Sequence, residues 1–166
     1  MKLYIKQKVF SWNDKFTVKT SYGEDKYAVE GELFSLGKKL HVYYMSGREV
    51  AFIQQKVFSF MPRYFVFVGD TQVAEIVKKF SFFRPKYEVA GLNWQVDGDF
   101  FAHNYIITDS GKKVVEINKE WMTWGDCYEL DIASGADEIV ALATVLAIDC
   151  ATENNGNGVS VSISSD

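Results

Sequence analysis

Up to residue 132, short apolar runs alternate with turn chemistry along the chain. Phe16 to Lys19 precedes Tyr22-Gly23, Leu33 to Leu36 precedes Gly37, and Lys39 to Tyr44 precedes Ser46-Gly47. The same rhythm continues with Tyr64 to Val68 before Gly69-Asp70, Trp94 to Val96 before Asp97-Gly98, and Tyr105 to Thr108 before Ser110-Gly111. Strands of about five residues with a turn every eight to twelve mark an antiparallel barrel or sandwich. The pattern predicts about a dozen strands between residues 2 and 132.

A second regularity lies on top of the first. Ile5-Lys-Gln-Lys-Val-Phe-Ser-Trp12 returns as Ile53-Gln-Gln-Lys-Val-Phe-Ser-Phe60, and more loosely at Ile76 to Phe83 and Ile117 to Trp124. Read as strands, these are one strand type used repeatedly. Ser46-Gly-Arg-Glu-Val-Ala-Phe-Ile53 and Ser110-Gly-Lys-Lys-Val-Val-Glu-Ile117 each show a glycine turn feeding a β-branched run, and Tyr27-Ala-Val-Glu-Gly31 matches Tyr87-Glu-Val-Ala-Gly91. Two stretches of about 40 residues thus read as diverged copies of one β-meander.

The alternation stops at Ala136. From there to Asn155 the Ala and Leu content is that of a helix, with Ser134 as the expected N-cap and Asp137 and Glu138 facing the positive end of the helix dipole. Ile139, Leu142 and Leu146 form one apolar stripe, but Val140, Val145 and Ile148 cover the other sides. A helix apolar all round must be buried, and its run Ile139 to Ile148 is about half of what a membrane span requires. One buried helix beside about twelve strands implies a barrel wrapped around that helix.

The combination resembles the LURP-one-related family, part of the tubby-like superfamily that also includes phospholipid scramblases. The resemblance covers nearly the whole chain. It is carried by Gln-Lys-Val-Phe-Ser-Trp at 7 to 12, Phe34-Ser-Leu-Gly-Lys-Lys-Leu40, Gly47-Arg-Glu-Val-Ala51 with Gln55-Lys-Val-Phe-Ser59, Trp121-Met-Thr-Trp-Gly-Asp126, and the apolar helix ending in Ile148-Asp149. It implies a mainly β, single-domain tubby-like antiparallel barrel of twelve strands closed around a C-terminal hydrophobic helix. The expected layout is barrel strands over 2–132, the helix over 136–153 and a polar tail over 154–166. In the tubby branch, clustered Lys and Arg bind phosphoinositide headgroups, but no such motif aligns here residue by residue. Scramblases end in a membrane-inserting helix, whereas this chain has a helix of the buried type followed by the polar tail.

Composition fits that picture. Of 166 residues, 48% are hydrophobic and 16% aromatic, with two prolines, as expected of a packed, strand-rich domain. A net charge of −4 is the wrong sign for wrapping nucleic acid, so no nucleic-acid partner is expected. Met-Lys-Leu-Tyr-Ile-Lys-Gln-Lys lacks the apolar core of a secretory signal, and Cys127 and Cys150 read as reduced thiols, so a cytoplasmic setting is expected.

Recognisable catalytic chemistry is absent from the motifs. His41 and His103 sit within strand-like runs, and Cys127 and Cys150 lack the close spacing of zinc ligands, so neither a metal nor a cofactor is expected. Asp97-Gly-Asp99 reads as a hairpin turn rather than a calcium loop, and Asp149 as a helix-end or hydrogen-bonded buried carboxylate. An enzyme would need Asp97, Asp99, His103 and Asp126 gathered in one pocket. Basic clusters carry the functional signal: Lys38-Lys39, Arg48, Lys78-Lys79, Arg84-Pro-Lys86 and Lys112-Lys113. The first seven of these, Lys38, Lys39, Arg48, Lys78, Lys79, Arg84 and Lys86, are the candidates for anionic phospholipid or phosphoinositide headgroups, although charges at turns and edges also serve to discourage edge pairing. The expectation is a non-enzymatic binding or regulatory module with peripheral lipid or protein partners; a protein-interaction scaffold and an enzyme are the alternatives.

Overall fold

A computed structural model of the chain describes residues 1–6, 15–32 and 35–153. Twelve strands follow one another: β1 (Lys2–Lys6), β2 (Lys15–Thr20), β3 (Asp25–Gly31), β4 (Lys39–Tyr44), β5 (Glu49–Gln55) and β6 (Arg63–Val68) form the first half. The second half is β7 (Thr71–Lys79), β8 (Lys86–Ala90), β9 (Trp94–Asp99), β10 (Asn104–Asp109), β11 (Lys112–Met122) and β12 (Gly125–Ile132), and α1 (Glu138–Glu153) follows. Each strand pairs antiparallel with its sequence neighbours, and β12 returns to β1 with Lys2 opposite Asp131 and Lys6 opposite Cys127. The sheet is a closed barrel with no free edge.

Period-two burial sets the inward face. Val18 on β2, Val29 on β3, Val42 on β4, Ile53 on β5, Val66 on β6 and Ile76 on β7 are all buried, with more exposed residues between them. Register shifts fall between Val18 and Lys19, Val42 and Tyr43, Val66 and Phe67, and Ile107 and Thr108, each near the turn end of a hairpin. Such bulges bend the strand locally, as closing a sheet into a barrel requires.

The lumen is filled. Every residue of α1 from Ala141 to Thr152 is buried, including Leu142, Val145, Leu146 and Ile148. Ile139 packs against the core at its margin, and Val140 is half-buried. Hydroxyls reach the helix from separate sides of the barrel: Tyr27 of β3 donates to Glu138 at 2.7 Å, Tyr64 of β6 to the Cys150 carbonyl at 3.3 Å, and Tyr128 of β12 to Asp149 at 2.5 Å. A helix contacted from so many directions lies inside the barrel.

Three local expectations are corrected. The helix is capped by Asp137, not Ser134: its Oδ1 accepts from the amides of Ile139 at 2.9 Å and Val140 at 3.0 Å, and Gly135, at φ 89, separates Ser134 from the first turn. Asp97-Gly-Asp99 ends strand β9 and is not a turn, because Gly98 at φ 135 lets β10 approach so closely that a Cβ would sit 2.6 Å from the Tyr105 Cα. Of the run Leu33 to Leu36, Leu33 and Phe34 lie outside the described residues, and Ser35 and Leu36 form a loop.

The recurring octapeptides also depart from the strand reading. Residues 7–12 of the first copy lie outside the described residues. The copy at Ile53 leaves β5 after Gln55, the copy at Ile76 leaves β7 after Lys79, and that at Ile117 stays in strand only to Met122. Phe58 adopts φ 59, a left-handed conformation that ends an extended run. With the helix filling the lumen, continuing the alternation would have no inward space for further rings. Cys127 and Cys150 are both buried and free.

Candidate functional site

In a barrel of consecutive antiparallel strands, successive connections alternate between the two ends. Turns 21–24, 45–48, 69–70, 91–93 and 110–111 share one end, and they are tight, with Gly23, Gly47, Gly69, Gly91 and Gly111 at positive φ. Loops 35–38, 56–62, 80–85 and 100–103 emerge at the other; 56–62 and 80–85 are longer, and all but 35–38 carry phenylalanines. Phe60 is fully exposed, and Phe82 and Phe83 are 85% and 97% exposed. Phe58, Phe80 and Phe101 are exposed beside them.

These loops touch. Gly37 packs near Gln55 and Val57, and the Lys38 amide donates to Gln55 Oε1 at 3.0 Å. The Lys78 amide donates to the Pro62 carbonyl at 3.0 Å, tying β7 to the 56–62 loop. Phe80 meets Phe82 edge-on with ring centres 5.1 Å apart. Between them opens a cleft of about 250 Å³ whose walls include Met61, Lys78, Lys79, Phe82, Arg84 and Phe101. Among the described residues no carboxylate lines it.

The structure sorts the seven predicted headgroup residues. Lys78 and Lys79 end β7, Arg84 and Lys86 flank Pro85 at the start of β8, and Lys38 and Lys39 open β4, so these six lie at the aromatic end. Arg48 lies at the opposite end, its guanidinium 4.9 Å from the centre of the Tyr44 ring. Lys79 pairs with Glu88, and Lys39 with Glu32 at 3.1 Å. Burial pushes the Lys78 and Lys38 ammonium groups below the ordinary lysine value.

A second constellation lies inside the barrel. Asp149 Oδ2 accepts from the Tyr128 hydroxyl at 2.5 Å, and the His103 Nε2 stands 3.8 Å from Oδ1, its ring stacked on Tyr128 with centres 4.3 Å apart. Burial raises Asp149 to about 7, opposed by the Tyr128 hydroxyl and the nearby Tyr105 hydroxyl; of these, Tyr128 meets full hydrogen-bond geometry. Burial, with the charge of Lys119, lowers His103. The Tyr87 hydroxyl and Thr152 Oγ1 are 2.8 Å apart one turn below.

The four residues proposed for an enzyme pocket do not assemble. Asp97 and Asp99 are exposed on β9, Asp126 is exposed on β12, and the two strands between them separate the sites by roughly 14 Å. Asp99 caps the amide of Ala102 at 3.1 Å, and the carboxylate beside His103 is Asp149. Among the described residues no cluster of three or more His, Cys, Asp or Glu side chains is placed to hold a metal ion, and no helix is long and apolar enough to cross a membrane.

Two features escaped sequence reasoning. The His103–Asp149 pair joins a β9–β10 loop to the helix, and its single signal was a lone carboxylate in an apolar helix. The aromatic end was visible as Phe-rich segments, but only their placement in loops, not strands, brings them together.

A model of the family described as LURP-one-related matches residues 1–149. An uncharacterized protein of Bacillus subtilis (strain 168), YxjI, is 36% identical over 155 residues, covering 93% of this chain and 96% of that protein. An X-ray structure of an Arabidopsis thaliana protein superposes with a TM-score of 0.64 at 13% identity, covering 92% of this chain and 90% of that one, a likeness of fold.

Proposed function

The chain belongs to the LURP-one-related family, and from that premise we propose that it is a non-enzymatic binding module for anionic phospholipid surfaces. One observation carries the reading: six of the seven candidate cations share a barrel end with the exposed phenylalanines of loops 56–62, 80–85 and 100–103. Exposed apolar residues gathered at one place mark an interaction surface, and interleaved cations select an anionic one. The filled lumen supports a surface function over a lipocalin-like one, since the helix occupies the space an enclosed ligand would take.

Co-sedimentation with phosphatidylcholine vesicles, with and without phosphatidylserine, tests the proposal at low and near-physiological salt. The expected result is binding to the anionic vesicles alone, weakening as salt rises. Replacing Lys78, Lys79, Arg84 and Lys86 together by Gln should reduce that binding and flatten its salt dependence. Absence of binding under every condition would overturn the lipid reading. The same apolar end would then point to a protein partner.

A further inference from the structure

The aromatic end is layered along the barrel axis. Lys78 and Lys79 are the last residues of β7 and Lys86 the first of β8, whereas Phe82 and Phe83 occupy the crown of the loop joining those strands. A strand rises about 3.3 Å per residue, so the Lys78 backbone lies about 7 Å inward of Phe80, itself at the foot of the loop. On this hairpin Phe82 and Phe83 are therefore outermost, with Lys78, Lys79 and Lys86 set back behind them and Arg84 beside Phe83 in the loop.

That order matches the cross-section of a bilayer interface. Aromatic rings favour the boundary between headgroups and acyl chains, and Lys and Arg side chains reach the phosphate level just outside it. Phe82 and Phe83 stand at the rim of the cleft, with 85% and 97% of their surface exposed, and Phe60 on the neighbouring loop is fully exposed. Exposed apolar rings flanked by cations suit an anionic lipid surface. Acidic groups beside the 80–85 loop are engaged, Glu88 with Lys79 and Asp99 with the Ala102 amide, as is Glu32 with Lys39 and His41, whereas the exposed Glu120 and Asp126 lie away from that loop on β11 and β12.

We propose that the 80–85 loop is a membrane-insertion element: Phe82 and Phe83 enter the headgroup–acyl boundary of an anionic bilayer, Lys78, Arg84 and Lys86 lie at its phosphate level, and the glycine-turn end faces away. This rests on the lipid-surface reading above and specifies the face, the depth and the orientation. Insertion adds an apolar contribution that salt does not screen, so it separates the roles of the two residue types.

Site-specific labelling provides the test. Both native cysteines are buried, so a fluorophore sensitive to polarity can be attached to Ser81→Cys at the aromatic end or to Asp70→Cys in the opposite turn. With phosphatidylcholine–phosphatidylserine vesicles, the label at 81 is expected to shift to the blue and be quenched by acyl-chain nitroxides, while that at 70 stays unchanged. Phe82→Ser with Phe83→Ser should weaken vesicle affinity at least about tenfold while leaving the salt dependence intact. Co-sedimentation without a response at 81, or with a response at 70, would overturn the insertion proposal and leave the lipid reading standing. No co-sedimentation at all would overturn both.

Discussion

Asp149 couples the fold to pH. Its carboxyl is buried in the barrel and pushed up to about 7, so the folded protein retains a proton that the unfolded chain releases in the ordinary carboxylate range. The resulting stability is fully present below that range and is lost as pH rises through about 7. His103 acts in the opposite sense: burial lowers it, so its contribution is lost as pH falls below the ordinary imidazole value. The other groups facing Asp149 stay protonated throughout this window, since burial raises Tyr105, Tyr128 and Cys150 far upward and Tyr87 to about 12. Comparing wild type with Asp149→Asn in denaturant melts isolates the carboxyl. From pH 5 to pH 7.5 the wild type should lose about 2 to 3 kcal/mol relative to the variant, at roughly 1.4 kcal/mol per pH unit. A constant gap would place an ordinary carboxyl there. Gly98 is the other residue with a sharp requirement. A Cβ there would stand 2.6 Å from both the Asn104 carbonyl oxygen and the Tyr105 Cα, at φ 135, so Gly98→Ala should cost about 1 to 3 kcal/mol and lower the melting temperature.

At the scale of elements, the helix was the most legible part of the chain. Apolar residues on every side of Ala136 to Asn155 could be read locally, and burial from Ala141 to Thr152 follows directly. Replacing Val145 by Asp would place an unpaired charge in a fully buried position and should destabilise the protein by several kcal/mol, read from thermal or denaturant melts. A wild-type melt would put the helix outside the barrel. The cap was less legible, because Ser134 and Asp137 are both good N-caps and the choice depends on where Gly135 turns the chain. Strand ends were least legible. Lys-Val-Phe-Ser-Phe has strong strand propensity wherever it stands, yet at 56–60 it forms a loop because Phe58 turns left-handed and the lumen is already occupied.

At the scale of the molecule, the net charge of −4 conceals a division between the two ends. Six candidate cations gather with the exposed phenylalanines at one end, while Arg48 lies at the other and Lys113 pairs with Asp131 and Glu116. Net charge sums over the surface and discards that arrangement. Vesicle binding and label response belong to this scale, because they read one face against the other. The anonymous clusters of the sequence become one surface only when connections are assigned to ends, and each assignment depends on every preceding strand being counted correctly.

The sequence by itself determined the architecture: twelve-fold alternation, turn glycines and an all-round apolar helix leave few ways to bury everything except a closed barrel filled by that helix. These are short-range signals, written within a few residues of where they act. Tertiary structure alone decided which loops share an end, that Asp97 and Asp126 stand on separate strands, and that His103 meets Asp149 in the interior. Those relations join residues far apart in the chain, and they follow from closure of the sheet around the helix, which no local pattern records.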